Sequence, residues 1–273
     1  MMHKNLLLIG FLLWLFSCSN NKDKALVYFE NAQDLYETGD YIAARQALDT
    51  VKILFPKEFE VQQQSLQLSR RIEIKIQERN TVFCDSMSLI RQTEADSMKP
   101  DFLFEKNPDY DEKGKFIDKR QVLENRLQRS YIRSYVDESG EITLASVYYG
   151  SQPIHHSRLK VSNKNGEYVE TENIAYDGGT NYAFVDLGMT TEVVSYTKGN
   201  ESEVIKFIHD NKNQDLKAEY LGGKPYSLSI SQGDKNALAK TLELSVILSD
   251  IERLKKEKEK SVKRLEYLRT KVN

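Results

Sequence analysis

Few side chains in this 273-residue sequence stand where chemistry could be done, and Cys18 is the foremost. It closes an uncharged apolar run, Leu6 to Phe16, and opens a polar stretch, Ser19-Asn20-Asn21-Lys22. A weakly basic start, Met1-Met2-His3-Lys4-Asn5, precedes the run, so its length and flanks are those of a secretory leader. A spanning helix needs about 20 apolar residues, and this run is too short for one. A thiol at such a junction can be acylated, and two or more chains on one residue hold a protein stably where a single chain holds only marginally. Cys84, the other cysteine, then has no disulfide partner in the chain; beside Phe83 in a helical pattern it reads as an inert buried thiol.

The remaining candidates are thinner. His155 and His156 are adjacent in a predicted strand, which would point them to opposite faces and keep them from one metal. His209 has no spaced companion. Asp109-Tyr110-Asp111-Glu112-Lys113-Gly114 begins like a calcium loop, yet Lys113 stands where a ligand belongs and Arg120 takes the place of the bidentate glutamate. Glu170 and Glu172 share a predicted strand face, but two acids among 41 acidic residues meet so by chance. The sequence holds no glycine-rich phosphate loop, HExxH, GxSxG or CxxC. No catalytic residue, no metal site and no cofactor is therefore expected. A net charge of −2 without a basic stripe excludes polyanion recognition, so no nucleic acid is expected either. Ten of the fifteen tyrosines lie between Tyr131 and Tyr226, and a large ring with a polar tip suits partner surfaces or sugar stacking. Tyr148, Tyr149 and Tyr182 are the candidate ligand-binding residues on that ground.

Two resemblances add to this. Leu15-Phe16-Ser17-Cys18 resembles the lipobox of bacterial lipoproteins, which implies cleavage before Cys18 and a lipidated, palmitate-bearing cysteine as the mature first residue. Ser19, where aspartate would favour inner-membrane retention, implies the outer membrane; whether the chain faces periplasm or exterior stays open. Residues 25–58 resemble a tetratricopeptide repeat: Ala32 and Ala44 where two helices cross closely, Gly39 at the turn, Tyr41 and Leu48 packing the hairpin, and Pro56 ending the second helix. The resemblance implies a packing unit and a surface for a protein partner.

The elements that must position these residues follow from periodicity. Val61, Leu68, Ile72, Ile76, Phe83, Met87 and Ile90 recur at three, four or their sums, predicting one long amphipathic helix to Met98 that covers the hairpin. From Tyr131 the period becomes two, with turns at Gly140, Asn165-Gly166, Gly178-Gly179, Gly199 and Gly222-Gly223, which predicts an antiparallel sandwich or curled sheet of roughly six to eight strands. Ser231 and Asp234 can cap a last helix whose stripe, Leu244, Ile247, Ile251, Leu254, Leu265, Leu268 and Val272, is of coiled-coil type and broken at Lys258 and Ser261. It is expected to return along the helix of residues 59–98, self-association being the competing use.

The organisation expected is a leader at 1–17, a tether at 18–24, a hairpin and long helix at 25–98, a polar linker with a short helix at 99–128, a β domain at 129–231 and the coiled-coil helix at 232–273. The fold class is α+β. The expected function is that of a lipid-anchored envelope protein with a non-catalytic binding or scaffolding role. The alternative is a glycan or peptidoglycan-binding module. A third reading, a hydrolase, would need a concave cluster of acids or histidines in the fold.

Overall fold

The computed structural model describes residues 17–123, 127–201 and 203–272, with side chains from residue 21 onward. The leader and Leu15-Phe16 of the lipobox-like motif lie outside the described residues, as does the side chain of Cys18. Among the described residues five helices and two antiparallel sheets make an α+β fold, and the chain divides into two compact units, residues 1–86 with 256–273, and residues 87–255.

In the first unit, α1 (Ser17–Glu37) and α2 (Tyr41–Leu54) form a hairpin. Ala25, Ala32 and Ala44 are fully buried, and their methyl groups let the helices approach closely while Phe29, Leu48 and Val51 fill the flanks. Gly39 takes a φ of +82°, open to glycine without cost, and Asp40 caps α2 by accepting from the Ala43 amide at 3.0 Å. α3 (Phe59–Met98) closes the apolar face with Val61, Leu68 and Ile72. Two of its polar residues satisfy chain ends. Gln62 Nε2 donates to the Val51 and Phe55 carbonyls at 3.0 Å, and Arg79 donates to the Gly39 carbonyl at 2.9 Å while stacking over the Tyr41 ring.

In the first unit, the end of the long α5 (Gln232–Val272) runs antiparallel along α3. Within the first unit Arg70 meets the Lys271 carbonyl, Arg264 meets Glu73, Arg269 meets Glu78, and Lys258 meets Asp85. The breaks in the apolar stripe have partners. Ser261 is buried and accepts from Asn80 Nδ2 at 2.7 Å, and Lys258 reaches out to Asp85.

The second unit holds both sheets. Strands β1 (Phe102–Glu105), β2 (Lys115–Asp118), β3 (Tyr131–Asp137), β4 (Ile142–Gly150), β7 (Asn181–Asp186) and β8 (Met189–Tyr196) form one sheet in the order β1-β2-β3-β4-β8-β7. β5 (Arg158–Asn163), β6 (Tyr168–Glu170), β9 (Leu216–Leu221) and β10 (Tyr226–Ser229) form the other, ordered β10-β9-β5-β6. One core joins them: Ile132, Leu144, Val194 and Tyr196 against Leu159, Val161, Ala218 and Tyr220, closed by α4 (Val204–Asp210) and by Leu238 of α5. Tyr220 crosses from its sheet to donate to the Tyr131 carbonyl at 2.7 Å.

Three expectations are corrected. The tether at 18–24 is helical, part of α1, because no proline or glycine interrupts it and Lys22 is held by Glu60 at 2.7 Å. The linker at 99–128 contains β1 and β2 and, among its described residues, only 3₁₀ turns in place of the short helix. Phe102 and Ile117 are buried there, and Gln121 is pinned inside by Ser134 and Ile132, so prolines that flank the strands had the look of a loop. The β region therefore begins near residue 102 rather than 129; between residues 131 and 231 it has eight strands, within the six to eight expected there, and β1 and β2 are added before them.

Candidate functional site

His155 and His156 are not in a strand; they lie in the segment between β4 and β5, and this displacement creates the most organised polar site among the described residues. His155 holds a φ of +54°, a left-handed backbone that costs a non-glycine residue about 1–3 kcal/mol unless its surroundings enforce it. Glu192 enforces it. Its Oε1 accepts from the Ile154 amide at 2.7 Å and the His155 amide at 2.8 Å; its Oε2 accepts from the His156 amide at 3.2 Å and from His156 Nδ1 at 2.9 Å. All four lone-pair positions of one carboxylate are thereby used on three consecutive residues.

Glu192 sits on β8 between Tyr148 of β4 and Ala183 of β7, and it is buried. Burial pushes its carboxyl up, but the His156 ring and the three amides outweigh that and hold it at about 2. His156 Nδ1 stands 2.9 Å from the Glu192 carboxylate, and on the other side of the ring Nε2 stands 2.9 Å from the Ser146 hydroxyl. Ser146 Oγ also lies 3.2 Å from the Tyr196 hydroxyl, whose own value is pushed up to about 12 by burial. Tyr220 stacks on the imidazole at a centroid distance of 4.9 Å.

Serine, histidine and carboxylate thus stand in the order and at the separations of a nucleophilic triad. Ser146, however, is 0 % exposed and His156 is 2 % exposed, so no acyl donor reaches the hydroxyl in this structure. What does open to solvent is the other side of the carboxylate. A cavity of about 400 Å³ is lined by His155, His156, Ser157, Tyr176, Asn181, Ala183 and Glu192. Its rim is tied down. Asn181 Nδ2 donates to the Ile174 carbonyl at 2.7 Å, Ser157 Oγ donates to Asn173 at 2.7 Å, and Asp177 accepts from the Gly179 and Asn181 amides at 2.8 and 2.9 Å. Behind the histidine segment, Gly222 and Gly223 approach so closely that a Cβ on Gly223 would stand 2.1 Å from the Ile154 carbonyl oxygen.

The tyrosines singled out by sequence are not brought together. Tyr148 points into the core, where its hydroxyl donates to the Gln152 carbonyl at 2.9 Å and its ring meets Tyr226 edge-on. Tyr149 and Tyr182 lie on the opposite face of the same sheet, in register with Thr191 and Val193. Tyr176, which the sequence reading passed over, is the ring at the cavity, 70 % exposed. No sequence signal marks Glu192, since its role depends on pairing with a segment 36 residues away. Cys84 is buried on α3, as its helical pattern implied. Among the described residues no three metal-ligating side chains converge, and no helix is long and apolar enough to cross a membrane.

A second concavity belongs to the hairpin unit. About 410 Å³ lies between α2 and α3, lined by Leu48, Lys52, Gln62, Ser65 and Leu66 among others. Ser65 is 5 % exposed and its hydroxyl has no hydrogen-bond partner among the described residues. No protein-family model, curated protein or solved structure matches the chain.

Proposed function

We propose that this chain is a bacterial envelope lipoprotein, anchored through acylated Cys18 and destined by its Ser19 for the outer membrane, whose role is to bind rather than to catalyse. The observation that carries the binding role is the division of the histidine site: its nucleophile is sealed in the core while a cavity of about 400 Å³ opens beside the carboxylate. Ligand sites of this kind combine an apolar lining with a few fixed polar groups. The tetratricopeptide-like hairpin supplies the scaffolding surface, where the groove holding Ser65 offers a partner segment one buried hydroxyl to satisfy.

Crosslinking in native membranes followed by detergent purification tests this. A protein partner is expected with the unaltered chain and is lost with Ser65→Leu, which fills the groove, or with Ala183→Trp, which fills the cavity. Recovery undiminished by both changes would remove both surfaces from the proposal. Cys18→Ala is expected to release the protein from the membrane fraction, and continued membrane retention would end the anchoring claim.

A hydrolase is the second reading, favoured by the 2.9 Å spacings on both sides of His156. It requires Ser146 to become accessible, and ester turnover abolished by Ser146→Ala would establish it. The glycan reading loses its original support, because Tyr148 is buried and the other two tyrosines face away from it.

A further inference from the structure

Resting on the reading of the cavity as a ligand site, we propose that its ligand is an organic cation, an alkylammonium or guanidinium group that enters between Tyr176 and His155 and is held by the field of Glu192.

Three observations meet in this. First, Glu192 is a buried carboxylate in the cavity wall whose four close partners are three amides and one imidazole nitrogen. The three amides carry no formal charge, so they stabilise the carboxylate without cancelling it, in surroundings where fields are weakly screened. Second, no lysine or arginine among the described residues lines the cavity. Elsewhere in this unit acidic groups do have such partners, as Asp118 has Arg120 at 2.6 Å and Glu170 has Arg158 at 3.2 Å. Third, the mouth carries the exposed Tyr176 ring, and a cation within about 6 Å of an aromatic centroid is attracted by its face.

The same geometry decides against a metal ion. The lone pairs of Glu192 are already occupied, which leaves the carboxylate able to attract through its field but not to coordinate. An organic cation needs no such coordination, and its alkyl part suits the apolar remainder of the lining.

Register supplies a test with an internal competitor. Ala183 is exposed and stands directly opposite Glu192 across β7 and β8, so Ala183→Lys would lay an ammonium in the cavity beside the carboxylate. Calorimetric titration of the full chain in detergent at pH 8 would compare cadaverine and agmatine with 1,5-pentanediol, the neutral twin of cadaverine, and with methyl glucoside. The cations are expected to bind, the diol at least tenfold more weakly. Ala183→Lys is expected to abolish cation binding while raising thermal stability, and Tyr176→Ala to weaken it severalfold without unfolding. Equal binding of diol and diamine, or cation binding that survives Ala183→Lys, would overturn the cation while leaving the cavity a ligand site. Binding by methyl glucoside alone would return the site to sugars. Heat from none of the four would overturn the cation and the cavity reading together.

Discussion

The hairpin unit and the β unit are stabilised by different means. The hairpin core is mainly apolar, with Ala25, Ala32, Ala44, Leu48, Val51 and Ile72 in close contact and Ser65 and Ser261 the small polar residues buried in that unit. The β unit buries an ionised carboxylate, an imidazole, a serine and two tyrosines in one connected chain. An apolar core resists changes of pH and suffers from changes of volume; a buried polar relay resists neither loss of a member nor loss of charge. The contrast also marks which unit is shaped for chemistry, because a segment held in a left-handed backbone by one carboxylate is more than packing requires.

That contrast can be broken at several points. Glu192→Ala leaves three amides and His156 without their acceptor, and is expected to destabilise the β unit by about 3–5 kcal/mol while the hairpin unit keeps its helical signal. Denaturant titration followed by probes placed in each unit checks it, and parallel loss in both would erase the distinction.

Acid should do the same more gently. Glu192 is lowered from 4.5 to about 2 in the fold, so its contribution is complete above pH 4.5 and is lost as pH falls from there through 2. Roughly 3 kcal/mol should go over that window, from about 1.4 kcal/mol for each unit of displacement. Melting curves at pH 6, 4 and 2.5 would show it as a transition of the β unit alone.

The hairpin answers instead to volume. Ala44→Leu forces a larger side chain where two helices touch and is expected to cost about 1–3 kcal/mol, independent of pH between 3 and 7. Asp40→Ala, which removes the cap of α2, should cost about 1 kcal/mol and appear as earlier thermal loss of helix ellipticity.

The two units were unequally legible in the sequence. Hairpin contacts join residues close in the chain, so Ala32, Gly39, Ala44 and Pro56 declare their roles by spacing. The coiled-coil stripe of α5 was legible from its three-and-four spacing but left two partners open, and its interruption at Ser261 marks a bond to Asn80, 181 residues away in the chain. Eight of the strands follow from alternation and turns, whereas β1 and β2 are four residues each, too short for a period and set among prolines. The candidate site was the least legible. Ser146, His156 and Glu192 come from two strands and an irregular segment, and only the left-handed turn at His155 brings the ring to the carboxylate. A strand assigned through that segment turns His156 away from its partners, which is why the two histidines had no evident use.

The most direct measurement is treatment of the full chain in detergent with a fluorophosphonate, followed by mass spectrometry of the peptide that contains Ser146. A sealed, structural relay beside a binding cavity leaves Ser146 unmodified for as long as the fold persists. An adduct on Ser146 that disappears with His156→Ala would contradict that account and make the site catalytic.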